Sequence, residues 1–412
     1  MKEGIIKKLI LVLVIVPIFM FVMSIDSHSQ PKSVKFGALL TLTGPLAKPG
    51  EDIKKAIELA KEDINRAGGV KALNGAQLEV VYGDSQARPD IGVGETERLI
   101  ERENVLAVMD MYPSACTVAA SAVGERFKTP YLAGNSFADI LTQRGFKYFF
   151  QIEAKTGSPG AGASWHQVEY MEYLAKAAGR KFERIAVIYE DSDYGQFGAK
   201  AIKEFLGKKG YKIVEDIPYP RTIPDVTPIV SKLKAAKAEV VLMCSYLGDS
   251  ILLTRTSDRL GFNVPWLDQA GKASDTYIKT LGPLAEYDNI LGMWNKDVGP
   301  KAKELNDRFK AKTGEDLTAH GALLYQSVIV LKEALELAKK ADREALREAL
   351  TKIRIDPGPQ MILPREFIKF REDGMNMGGS FIYLQVLNGI FVTVWPEKYA
   401  STRVKISPKW WK

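Results

Sequence analysis

The sequence predicts an α/β protein made of two similar halves, each a parallel, doubly wound sheet. Three observations carry the prediction. Strand and helix signals alternate along the chain, and the strands are apolar runs without strict alternation, as expected for strands covered on both faces. Residues 35–69 and 184–210 also repeat one order: an apolar strand, a polar loop and an amphipathic helix closed by glycine.

In the first unit the strand is Phe36-Gly-Ala-Leu-Leu40, the loop Thr41-Leu-Thr-Gly-Pro45, and the helix stops at Gly68-Gly69. Ile53, Ala56, Ile57, Ala60 and Ile64 recur at the spacing of one buried helix face. Asp52, Lys54, Lys55, Glu58, Lys61 and Glu62 occupy the face expected to meet water. Strands then follow at 77–82, 105–109, 130–133 and 148–152, with helices over 91–101 and 118–127. A cluster of glycine, serine and proline at 155–162 breaks this rhythm and reads as a connection between halves. The pattern restarts with the strand 184–189, the loop 190–195 and the helix 197–209, then a strand at 238–244. Asp249 is placed to cap the helix after it, and Gly261 to close that helix.

The last third departs from this repetition. A strand is expected at 290–294, and helices at 301–312, stopped by Gly314, at 319–340, and from Asp342 through Leu350. Two runs, 381–387 and 390–394, flank Asn388-Gly389. That dipeptide suits the left-handed backbone of a type I′ turn, so a hairpin is predicted.

Residues 1–30 carry Lys2, Lys7 and Lys8, an uncharged run from 9 to 23, and the small residues Ser27-His28-Ser29. This is the order of a secretory signal peptide cleaved near Ser29; the run is short for a retained anchor. Removing residues 1–29 takes three lysines and two acids, so the formal charge of +7 falls to +6. Basic residues lie among acids along helices and form no stripe, so no nucleic-acid partner is expected. Cys116 and Cys244 fall in different halves and are expected to stay free thiols.

Three histidines in 412 residues, with no Cys-x-x-Cys or His-Glu-x-x-His, give no metal-site pattern. No phosphate-binding Gly-x-x-x-x-Gly-Lys-Ser/Thr occurs, and Gly92-Val-Gly94 lacks the third glycine of a dinucleotide fingerprint. Gly162-Ala-Ser-Trp-His166 lacks the last glycine of a nucleophile elbow. The expectation is a binding protein with no cofactor and no catalytic constellation.

In open parallel sheets ligands sit beyond the carboxyl ends of the strands. The loops there are 41–45, 112–117, 134–137, 190–194, 246–249 and 268–271. In the first half they offer hydroxyls and amides: Thr43, Ser114 with Ala115, Thr117, Asn135 and Ser136, beside Phe137. The 112–117 loop opens a helix whose free N–H groups suit a carboxylate; Ser114 and Thr117 either join that site or only cap the helix. In the second half Tyr194 and Tyr246 offer flat apolar walls with polar tips, or are core aromatics. Asp268, with Gln269 beside it, is the acid placed to meet an ammonium group, or else caps its own turn. His320 and Tyr325 share a helix face only if the register holds.

The chain resembles the branched-chain amino acid (Leu/Ile/Val) type solute-binding proteins of ABC importers. The motifs are Leu42-Thr-Gly-Pro-Leu46, Glu62-Asp-Ile-Asn-Arg-Ala-Gly-Gly69, Leu141-Thr-Gln-Arg-Gly-Phe146, and Ala186-Val-Ile-Tyr-Glu-Asp191 with Tyr194-Gly195. The resemblance implies a type 1 periplasmic binding fold, two Rossmann-like doubly wound lobes joined by three crossover segments. It divides the chain into a signal peptide 1–29, a first lobe 30–153 and 290–360, and a second lobe 154–289 and 361–412. It implies a periplasmic protein whose closed form docks on an inner-membrane ABC permease. Ser114 matches the hydroxyl that holds a ligand carboxylate, Tyr194 and Tyr246 match second-lobe aromatics, and Asp268 lies at the acid that receives an amine. An amino acid is therefore the first candidate ligand. Pro49, Phe137 and an Asp in place of a longer Glu depart from the amino-acid binders, so an aromatic or organic acid, or an amide, is the alternative. A sensory ligand-binding module is a second class, distinguished by whether neighbouring genes encode a permease and ATPase.

Overall fold

The computed structural model describes residues 32–44, 46–110, 113–134, 136, 138–153, 157, 162–379 and 381–412. The expected signal peptide, and with it the cleavage near Ser29, lies outside the described residues.

The chain opens with β1 (Ser33–Leu40), α1 (Ala47–Arg66), β2 (Gln77–Asp84) and α2 (Pro89–Glu97). It continues through β3 (Val108–Asp110), α3 (Ser114–Arg126), β4 (Tyr131–Ala133) and β5 (Phe149–Gln151). These five strands form one parallel sheet in the order β2-β1-β3-β4-β5. Helix α1 buries Ile53, Ala56, Ile57 and Ala60, as their spacing predicts. Asp52, expected on the wet face, is buried instead. Lys48 reaches it across one helical turn, Nζ to Oδ1 2.6 Å, and supplies the countercharge that makes this tolerable.

The second sheet begins after α4 (Ala163–Ala177) with β6 (Ile185–Glu190), α5 (Asp193–Lys208), β7 (Ile213–Tyr219) and α6 (Thr227–Ala235). Then come β8 (Val240–Cys244), α7 (Leu247–Arg259), β9 (Trp266–Asp268), α8 (Asp275–Leu281) and β10 (Asn289–Gly292). Three helices follow, α9 (Pro300–Thr313), α10 (Ala319–Ala338) and α11 (Arg343–Lys352), before the hairpin β11 (Ile382–Leu387) and β12 (Ile390–Trp395). The strand order is β12-β11-β10-β9-β8-β6-β7, parallel from β10 to β7 and antiparallel at the hairpin. Asn388 and Gly389 take φ of 54° and 74°, the backbone the Asn-Gly turn predicts. Gly314 closes α9 at φ 79°, and Asp342 caps α11 by accepting the N–H of Ala345.

The chain passes between the sheets three times, after β5, after β10 and after α11, and α10 and α1 pack together beside the first sheet. Two of the expected lobe boundaries need correction. A boundary between 289 and 290 would cut β10, which pairs with β9 and β11 in the second sheet. The segment after 360 does not pass straight to the second lobe. Met375 bridges Gln151 on β5, and the Asn376 side chain donates to the carbonyl of Ile152 at 2.7 Å. Only from Ile382 does the chain join the second sheet. Short strands carry little local information about which sheet edge they will meet.

Both cysteines are buried and unbridged, Cys116 on α3 and Cys244 at the end of β8.

Candidate functional site

In each sheet the strand order reverses beside the first strand of the lobe. The reversal lies between β1 and β3 in one sheet and between β6 and β8 in the other. The crevices outside those strand ends are where such sheets bind ligands. The two crevices face each other. Phe197, early on α5, packs on the first-lobe apolar cluster that holds Ala120, Val123 and Leu141. Arg221, in the loop after β7, lies close enough to act electrostatically on Cys116 in the first turn of α3.

The first-lobe wall is built on the start of α3. Pro113 sits at the N-cap in extended backbone (φ −91°, ψ 161°), so Ser114 begins the helix and the first N–H groups lack helical acceptors. Ser114 and Thr117 are buried, and Ala115 between them is half-buried. Thr117 Oγ1 and Ser136 Oγ share a hydrogen bond of 2.6 Å, while Gln151 Nε2 donates to the Ser136 carbonyl at 2.7 Å. The Thr117 and Ser136 hydroxyls thus meet at the start of α3, and buried Ser114 opens the same helical turn. Asn135 and Phe137 lie outside the described residues.

The second-lobe wall begins at β6. The Glu190 carboxylate accepts the Ser192 N–H at 2.9 Å, the Ser192 hydroxyl at 2.7 Å and the Gly195 N–H at 2.8 Å. These bonds hold the first turn of α5 against the strand end. A Cβ on Gly195 would stand 1.9 Å from the Glu190 carbonyl oxygen, so this approach requires glycine. It seats Tyr194 against Tyr246 with ring centroids 5.4 Å apart, tilted by 57°. Tyr246 precedes α7, where Asp249 Oδ1 accepts its N–H at 2.8 Å and Asp249 Oδ2 accepts the Tyr219 hydroxyl at 2.6 Å. Asp249 therefore does cap that helix, from its third position. Burial raises its carboxyl to about 7.

Asp268 ends β9 and is fully buried. Its Oδ2 accepts the Ser245 hydroxyl at 2.8 Å and the Lys272 N–H at 3.1 Å, and its Oδ1 accepts the Ala270 N–H at 3.4 Å. Burial raises its carboxyl to about 6, against the lowering pull of the Lys272 charge. Gln269 turns away from the tyrosines. Its amide donates to Ser164 Oγ at 2.9 Å and to Gln167 Oε1 at 2.8 Å, tying the loop to α4. Tyr325 points elsewhere, its hydroxyl donating to Asp63 on α1 at 2.7 Å. His320 is buried in the first turn of α10, where desolvation lowers it to about 4. Among the described residues no group of three or more His, Cys, Asp or Glu could hold a metal ion.

Residues 33–388 match the family model described as periplasmic binding protein. The chain belongs to that family. Leu/Ile/Val-binding protein homolog 7 of Brucella melitensis is 31% identical over 390 residues, which is 90% of this chain and 94% of the relative. Two solved structures are similar in fold. One is a branched-chain amino acid transporter substrate-binding protein from Streptococcus pneumoniae in complex with isoleucine, with TM-score 0.74, 22% identity, and coverage of 88% of this chain and all of that one. The other is an ABC transporter solute-binding protein from Rhodopseudomonas palustris in complex with 3,4-dihydroxybenzoic acid, with TM-score 0.75, 19% identity, and coverage of 92% and 99%. The fold is the type 1 periplasmic binding fold, and the family is one of solute-binding proteins, as the resemblance implied.

Within this periplasmic binding protein the sequence reading missed two residues of the second-lobe wall. The Arg221 guanidinium lies 5.1 Å from the Tyr246 ring centroid, and among the described residues no carboxylate forms an ion pair with it. Its signal was the run 213–219 just before it, a strand whose reading Pro218 interrupts; β7 is an edge strand, where proline is tolerated. The other is Lys272, 1% exposed, with Nζ 3.0 Å from Asp288 Oδ1.

Proposed function

We propose that the protein is an extracytoplasmic binding protein that captures a small carboxylate-bearing solute between its lobes and delivers it to an ABC import permease. The observation that carries this reading is the pairing of unlike walls across the strand ends. The buried hydroxyls of Ser114, Thr117 and Ser136 stand at a helix N-terminus, and the Tyr194–Tyr246 aromatic pair stands in the other lobe. A helix N-terminus with hydroxyl donors stabilises an anion, and the rings cover an apolar body. Lobe closure around the solute removes both from water. Family membership supports delivery to a permease and a periplasmic location, with the signal peptide at 1–29 removed on export.

The solute is held and released unchanged in this reading. Mass spectrometry of the small molecule that copurifies with the protein is the direct test, and a carboxylic acid or amino acid is expected. A copurifying sugar, polyamine or metal chelate would count against it.

A further inference from the structure

The acids of the pocket bear on which carboxylate it takes. An amino acid brings an ammonium group, and that cation needs a carboxylate with an oxygen to offer it. Every buried carboxylate among the described residues is already engaged within the protein. Asp52 pairs with Lys48, and Glu153 with Arg365. Asp110 accepts the Tyr131 hydroxyl at 2.8 Å, Glu190 holds Ser192 and Gly195, and Asp249 holds Tyr219 and Tyr246. Asp268, the acid matched to the amine position, takes three donors of its own lobe and faces the charge of fully buried Lys272. Of the acids on the Glu190 loop, Asp191 is exposed and Asp193 half-buried, so water competes for both.

What is left over in the second-lobe wall is neutral or positive. Among the described residues no carboxylate forms an ion pair with Arg221, which lies over Tyr246 and whose charge reaches Cys116 in the first turn of α3. A site with one unpaired guanidinium and no free buried carboxylate discriminates against a ligand ammonium by leaving it desolvated and unpaired.

We infer that the cleft takes a carboxylic acid without an ammonium group, its aromatic or branched aliphatic body against Tyr194 and Tyr246, with Arg221 joining the α3 terminus in holding the anion. This rests on reading the cleft as a carboxylate site.

Calorimetric titration of two matched pairs tests it: 3-phenylpropanoate against L-phenylalanine, and 4-methylpentanoate against L-leucine. Each pair differs only in the ammonium group. At least one acid is expected to bind ten times or more tighter than its amino acid partner. Replacing Arg221 by Met should weaken that acid about tenfold, with an unchanged melting temperature showing that the variant is folded. Amino acids binding as tightly as the matched acids would overturn the inference and leave the carboxylate reading standing. Tight acid binding that Arg221→Met leaves unchanged would overturn the role of Arg221. Binding by none of the four would count against both.

Discussion

Ser114 is the residue on which the carboxylate reading turns. Its hydroxyl sits buried in the first turn of α3, and losing a hydrogen bond to a charged group costs on the order of 2 kcal/mol. Ser114→Ala should therefore weaken a bound carboxylate by roughly tenfold or more in a calorimetric titration. Unchanged affinity would remove Ser114 from the site. Asp249 supplies a second test, through pH. Its carboxyl stands at about 7 in the folded protein, above the ordinary 3.8, because burial disfavours its charge. The folded state thus keeps a proton that the unfolded chain releases, and stability from this group falls as pH rises from about 4 to 7. The slope is at most about 1.4 kcal/mol per pH unit. His320 acts oppositely: held near 4 by desolvation, it costs stability as pH falls from about 6.5 toward 4. The two effects oppose each other over that range, so the comparison to make is Asp249→Asn against the parent in urea unfolding at pH 5, 6 and 7. The variant should gain relative stability as pH rises; parallel pH curves would contradict the placement of Asp249.

At the scale of elements, the turn from β6 into α5 does the most to shape the second-lobe wall. Gly195→Ala would place a methyl 1.9 Å from the Glu190 carbonyl oxygen, so the first turn of α5 must shift and Tyr194 with it. A loss of about 1–3 kcal/mol in chemical denaturation is expected, together with weaker ligand binding, since overpacking a close contact costs that much. Retained stability and affinity would show that the turn can relax without moving Tyr194. Units of this kind were legible in the sequence, because an apolar strand, a polar loop and a one-sided helix are local patterns. So were α9 with its Gly314 stop and the Asn388-Gly389 hairpin. The strand expected at 105–109 starts three residues later and is shorter, at Val108–Asp110, where pairing with β1 and β4 fixes its register. The sheet that β10 joins is likewise set by distant partners. Ser114, Tyr194, Tyr246 and Asp268 were readable as candidates because strand ends mark the loops. That Ser245 and Lys272 already satisfy Asp268, and that Gln269 turns to α4, depends on contacts between elements that periodicity does not encode.

For the whole molecule, the proposed capture requires the two lobes to close about their connections, and the first and third of these are pinned together. Arg365 donates to Glu153 at 2.6 Å and to the Ile152 carbonyl at 3.1 Å, with both charged side chains at 0% exposure. Removing one partner strands the other as an uncompensated buried charge. Arg365→Met should therefore cost about 3–5 kcal/mol in urea unfolding, and adding Glu153→Gln should recover part of the loss. Equal loss in the single and double variants would show that packing, not charge, dominates there. The central claim is that closure of these lobes captures one small carboxylate. Titration of the purified, ligand-stripped protein with a panel of aromatic and aliphatic carboxylic acids and amino acids tests it most directly. One carboxylate should bind with 1:1 stoichiometry and, at a hundred times its Kd, raise folding stability by about 2.7 kcal/mol. Neither binding heat nor a thermal shift with any carboxylate, or tight binding of a ligand that has none, would contradict it.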